Sequence, residues 1–199
     1  MPDRRAFINA VVFVALCIIW GSSFILIKEG IAHLSAYQVA TIRILSAGLV
    51  LLPVALKQWK HIPLNKLGYV FLSGVLGSFF PAYLFCLAET KIDSSLAGFL
   101  NSLTPVFTIF TGLLFFGQVL QLHKLVGVMI AMGGMLVLLF AKGSVNIQFL
   151  SYAGFALVAT VLYGFNINLV ARHLKEISSL AVVAVSFALL LAPCLMILW

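Results

Sequence analysis

Three short polar patches interrupt the long apolar runs of this chain, and their residue types are those that hold a small polar ligand. In "WGSSFILIKEG" (20–30), Trp20 and Ser23 lie three apart and share a helical face. In "NSLTPVF" (101–107), Asn101, Thr104 and Pro105 fall on one stripe. In "YGFNINLV" (163–170), Tyr163 and Asn166 repeat the aromatic-plus-polar spacing of the first patch. An amide facing hydrocarbon is costly, so such side chains find a partner, a cavity or a ligand. Pro105 cannot donate to the Asn101 carbonyl four residues earlier, which predicts an open acceptor there, serving either a ligand or a kink. These seven residues are the candidate substrate contacts, and their chemistry is recognition by hydrogen bonding rather than bond-making.

Groups that make and break bonds are scarce. Of five acids, Asp3 and Glu176 fall at one set of span ends and Glu29, Glu89 and Asp93 at the other, so no carboxylate relay is expected at mid-membrane. His33, His61, His123 and His173 stand alone in separate connectors, and Cys17, Cys86 and Cys194 are scattered without a CxxC. No metal, cofactor or disulfide framework is expected. An embedded enzyme acting on a lipid-linked substrate is one rival reading, and it would need clustered acids or histidines near a membrane face; a non-transporting truncated membrane protein is the other.

The elements that must carry these patches are membrane helices. Of 199 residues, 63% are hydrophobic and 9% charged, against about 25% charged in soluble domains, and the mean hydropathy is +1.19. The net charge of +7 comes from basic residues placed singly or in pairs between apolar runs, which suits membrane topology and not nucleic acid. Seven stretches can cross a core that takes about 20 helical residues: approximately 8–28, 37–56, 67–88, 94–116, 123–141, 149–171 and 179–199. Lysine and arginine concentrate on the side that holds the N-terminus, which predicts a cytoplasmic N-terminus. "DRRAFIN" (3–9) has some likeness to a twin-arginine signal, but the apolar run behind it is too long and lacks a small-x-small cleavage site, so it reads as a basic anchor.

Within the fourth span, positions 94, 97, 98, 101, 104, 105, 108, 111 and 112 are all small or polar, while Phe99, Phe107, Phe110, Leu113 and Leu114 lie off that stripe. In the third, Gly74, Gly77, Ser78 and Pro81 read as packing, and Tyr83 as either a lining residue or an interfacial anchor. Gly127, Ala131 and Gly134 of the fifth span read as scaffold or interface. Asn166 and Asn168 point about 200° apart, and the Tyr163/Asn166 face is the one assigned to the cavity. Arg43 is expected to snorkel outward or to pair with Glu29, Glu89 or Asp93, snorkelling being the preferred reading.

The patches also repeat. "LCIIWGSSFILI" (16–27) aligns with "ATVLYGFNINLV" (159–170), and "SAGLVLLP" (46–53) with "SFALLLAP" (186–193). A unit of five spans is odd-numbered, so a second copy enters the membrane from the opposite side, an inverted repeat of the kind common in secondary transporters. The expected division is 1–142 for the first repeat and 143–199 for the start of the second, seven of ten helices, with the chain read as C-terminally truncated.

"WGSSFILIKEGI", "ATIRILSAGLVLLP" and "SSLAGFLNSLTPVFTIFTGLLFFGQVLQLHKLVGVMIAMGGMLVLL" together resemble the EamA-type branch of the drug/metabolite transporter (DMT) superfamily. The resemblance runs over nearly the whole chain. It implies an all-α polytopic fold of two inverted five-helix repeats, in the plasma membrane of a bacterium or archaeon, exporting small metabolites such as amino acids or drugs by alternating access. It further implies a central cavity lined by the first, third and fourth helices of each repeat. Where that pattern commonly has a glutamate after the glycine closing the fourth helix, this chain has Gln118. The partners expected are a small-molecule substrate and the lipid bilayer, with a homodimer left open; no nucleic acid and no cofactor are expected.

Overall fold

The computed structural model of the chain describes residues 4–119, 122–141 and 150–198, and what it describes is helical. That is the solution available to a chain in lipid, where each backbone N–H and C=O must be satisfied within its own segment. The helices are α1 (Arg4–His33), α2 (Ala36–Gln58), α3 (Leu64–Gly74), α4 (Phe80–Glu89), α5 (Ser94–Asn101), α6 (Thr104–Phe115), α7 (Leu122–Ala141), α8 (Leu150–His173) and α9 (Ser179–Leu198). Counted as spans, with α3 and α4 forming one and α5 and α6 another, six are long and apolar enough to cross a bilayer. The helix α7 is a further apolar helix of 20 residues where the fifth span was expected. The expected repeat boundary at 142/143, the side chain of Ala131 and Trp199 lie outside the described residues.

Helix ends follow local chemistry. Between α1 and α2, Ser35 Oγ accepts from Gln38 N at 3.2 Å and Gln38 Oε1 accepts from Ser35 N at 3.0 Å, a reciprocal cap that starts α2 with only two residues between it and α1. Two spans are broken by proline. Pro81 offers no N–H to the carbonyl four residues back, and the turn before it widens into π-helix over Val75–Phe79, with Phe80 N–H bonding Val75 O. Pro105 likewise breaks the fourth span. The chain tightens there through Ser102 N to Gly98 O and Leu103 N to Leu100 O, both 3.1 Å, and α6 restarts at Thr104 with the proline in its first turn.

The helix α8 is central, packed between α4 and the α5/α6 span, while α9 lies along α2 and α3. Small side chains allow the approach, as expected where lipid supplies no hydrophobic drive between helices. Ala153, Ala156 and Ala159 of α8 pack with Phe85, Ala88, Ala97 and Leu100 in one cluster. A Cβ added at Gly164 would stand 2.7 Å from the Phe107 carbonyl carbon, and one at Gly48 would stand 3.2 Å from the Phe187 carbonyl oxygen across α2 and α9. Gly74 packs against Ser186 and Leu190, so its expected packing role holds. Tyr83 is 8% exposed and shares a 2.7 Å hydrogen bond with Thr41 Oγ1, which corrects its reading as an interfacial anchor. By contrast α1 is exposed along most of its length, and Gly127 and Gly134 of α7 face open space.

Candidate functional site

The candidate residues sort by whether their hydrogen-bonding groups are already used. Ser23 Oγ donates to Trp20 O at 2.8 Å, as Ser22 Oγ donates to Ile19 O at 3.1 Å, so both serines are tied to their own helix. Thr104 Oγ1 donates to Asn101 O at 2.5 Å. That contact corrects the open carbonyl expected from Pro105: the threonine one residue before the proline supplies the donor the proline lacks. Pro105 itself is exposed, and Trp20 is 74% exposed on α1, outside the packed clusters.

Three candidates retain unspent polar groups. The half-buried Asn101 amide, at the break between α5 and α6, has no hydrogen-bond partner among the described residues. Nor does the Tyr163 hydroxyl, although its ring stacks on Phe85 at 6.1 Å and Phe85 meets Phe24 edge-on at 5.6 Å. Asn166 presses its amide against Gly77, inside the π turn, where an added Cβ would overlap Nδ2. Its Oδ1 is buried without a donor. The fold thus sets two of these groups, Asn101 and Asn166, at or against the two breaks in helical bonding, and Tyr163 on the face of α8 that meets α4.

Asn168, on the opposite side of α8, is 2% exposed and fully used. The two protons on its Nδ2 are shared among Thr108 O (2.8 Å), Thr111 Oγ1 (2.9 Å) and Gly164 O (3.0 Å), and its Oδ1 accepts from Gln118 Nε2 at 2.7 Å. This network locks α6 to α8 at the His173 end, where Arg172 also reaches Phe116 O at 3.4 Å.

Two features escaped the sequence. Glu89 ends a hydropathy segment and reads as an outer-end group, yet it is 0% exposed. Following the buried stripe Pro81, Phe85 and Ala88 one residue further would have found it. Lys28 is bound to backbone rather than to a carboxylate, its Nζ donating to Glu89 O at 2.6 Å and Ile92 O at 3.0 Å. Among the described residues no group of three or more His, Cys, Asp or Glu is placed to hold a metal ion.

Apolar helices of spanning length, broken by polar turns and packed through small residues, define an all-α polytopic membrane protein. The model of the EamA-like transporter family matches residues 8–140, and the chain belongs to that family, within the DMT superfamily. It is 30% identical over 156 residues to a probable amino-acid metabolite efflux pump of Salmonella typhimurium, covering 77% of this chain and 50% of that protein. An uncharacterized transporter of Bacillus subtilis is 26% identical over 161 residues, 79% of this chain and 52% of its own length. One from Archaeoglobus fulgidus is 30% identical over 119 residues, 60% of this chain and 43% of its own length. The chain spans about half the length of the curated relatives it matches. These relatives are named as a probable efflux pump and as uncharacterized transporters. No solved structure matches the chain.

Proposed function

We propose that this protein is a secondary transporter that moves small polar or amphipathic metabolites, amino acids foremost, out of a bacterial or archaeal cell by alternating access. The observation that carries the reading is the trio of unspent groups, Asn101, Tyr163 and Asn166, on α5 and α8. An amide, a phenol and a buried acceptor offer both donors and acceptors to a zwitterion's polar groups. The name of the Salmonella relative supports the amino-acid class and the outward direction. Trp20, Ser23, Thr104 and Pro105 complete the proposed lining, with Thr104 and Pro105 shaping the break that presents Asn101.

The architecture that serves this function is an inverted repeat, divided at 142/143, with the N-terminus in the cytoplasm and the chain in the plasma membrane. Two observations support it: the family model covers 8–140, nearly the first unit, and the repeat-related helices α2 and α9 pack along each other. In such a repeat α1 and α8 are counterparts.

Reconstitution in proteoliposomes, with uptake of radiolabelled amino acids and amphipathic drugs, tests the proposal. Saturable uptake of an amino acid is expected, lost in Asn101→Leu and Asn166→Leu at unchanged membrane insertion. Uptake of no member of the panel removes the transporter reading; unchanged uptake in both variants removes the site.

A further inference from the structure

Glu89, Ser94 and Phe24 join α4, α5 and α1 through one hydroxyl. Ser94 Oγ lies 2.9 Å from Glu89 Oε2 and 3.2 Å from Phe24 O, so it faces two acceptors. A serine hydroxyl carries a single proton to donate. With the carboxyl ionised, Ser94 gives that proton to Glu89, and the Phe24 carbonyl is left to its own helix. With the carboxyl protonated, Oε2–H donates to Ser94 Oγ, and Ser94 turns its proton to Phe24 O. The proton on Glu89 therefore decides whether the chain of bonds reaches α1.

We propose that Glu89 is a proton-binding site and that its proton latches α1 onto α5 through Ser94. The site is built for this. Glu89 is 0% exposed, its Oε1 is buried with no partner, and no cation forms an ion pair with it among the described residues. Lys28 of α1, the nearest candidate, spends its ammonium on the carbonyls of Glu89 and Ile92. Of the groups that act on Glu89 from the surrounding elements, Lys28 and Arg43 of α2 are the charged ones and Ser94 of α5 the hydrogen-bond donor. Cys86, one turn earlier on α4, shares Arg43 with it. An otherwise structural carboxylate in apolar surroundings would be paired with a cation or have both oxygens bonded.

Among the six described spans long enough to cross a bilayer, the element this latch controls is the least buried. Over its most apolar stretch α1 is 6% buried, and at the Lys28 end it is tied by the Lys28 bonds and by Ser94. Release of the Ser94 bond frees the Phe24 carbonyl, at the end of the stretch that carries Trp20 and Ser23 of the proposed lining. Binding and release of a proton would then move α1, giving the transporter a coupling ion; that last step rests on the transport reading above.

The test uses the protein in lipid vesicles without substrate, so its outcome stands whichever way the uptake assay falls. Spin labels at Glu29→Cys and Asp93→Cys, both exposed positions, with the exposed Cys17 replaced by serine, report the separation of α1 and α5 across a pH series. Infrared difference spectra over the same series follow the carbonyl band of the protonated Glu89 carboxyl, identified by its loss in Glu89→Gln. The separation is expected to lengthen as the band disappears. Glu89→Gln, whose amide donates to Ser94 at every pH, should hold the short distance throughout, and Ser94→Ala the long one. A wild-type distance that ignores the titration of the band, or a Ser94→Ala distance that still follows it, overturns the latch. Should Glu89→Gln fail to insert, the wild type and Ser94→Ala decide it.

Discussion

Gln118 donates its side-chain amide to Asn168 Oδ1 at 2.7 Å, and the pair has a fixed polarity. Asn168 cannot flip to offer its own amide without losing the three acceptors its Nδ2 serves. A glutamate at 118 would set carboxylate oxygens against Asn168 Oδ1. Gln118→Glu should therefore weaken the α6–α8 lock. Because Gln118 is largely exposed, the loss should be about 0.5–1.5 kcal/mol, a typical net hydrogen bond, read as a lower midpoint in detergent unfolding.

Asn168→Leu should cost more than any single bond in that network, because it strips the partner from Thr111 and Gln118 together. Hydrogen bonds between membrane helices are worth roughly 0.6 to 1.7 kcal/mol each, which puts the variant at about 2 kcal/mol. The same unfolding measurement checks it, and a loss no larger than that of Gln118→Glu would contradict the assignment.

The two glycines aligned by the repeat should behave differently. Gly164→Ala drives a methyl to within 2.7 Å of the Phe107 carbonyl carbon and 2.8 Å of Thr108 N, both backbone atoms that cannot swing aside. Overpacking of this sort costs about 1–3 kcal/mol. Gly21→Ala meets nothing within 4 Å and should be neutral or slightly stabilising through helix propensity. Thermal stability of the two variants in detergent decides the point.

Lys28→Met should loosen the end of α1 by removing two charge-assisted bonds to Glu89 O and Ile92 O. The expected loss is about 1.5 kcal/mol, the low end for a charged donor since the ammonium is partly open to solvent. Faster amide hydrogen exchange confined to residues 24–33 and 89–94 is the readout. Unchanged exchange there would mean that the lysine holds nothing.

Ser23→Ala should leave uptake close to the wild-type level, because its hydroxyl is already spent on Trp20 O. Asn101→Leu, by contrast, removes an amide with no other partner. Parallel uptake curves for the two variants test whether unspent hydrogen-bonding capacity is what marks the site.

Much of this fold was legible in the sequence. Apolar run length gave the spans to within a few residues, since bilayer thickness sets helix length, and the small stripe of the fourth span turns Ala97, Thr111 and Gly112 inward while Phe110, Leu113 and Leu114 face out. The prolines marked where the third and fourth spans break, because a missing N–H is a covalent fact. How each break heals was not read from the sequence: the Thr104 hydroxyl, three residues on, closes one, and a local π turn accommodates the other.

Single sequence positions likewise announced Asn101, Asn166 and Asn168 as polar groups in an apolar chain, without saying which would be satisfied. That was settled by tertiary packing, which brought Thr108, Thr111 and Gln118 to Asn168 and set Gly77 against Asn166. Glu89 shows the same division most plainly. Composition and hydropathy fixed a helix ending near residue 89, since they sum local terms. Whether its carboxylate met water or was sealed with one unpartnered oxygen depended on where α1 and α5 cross α4, a relation among segments up to 70 residues apart that no local term contains.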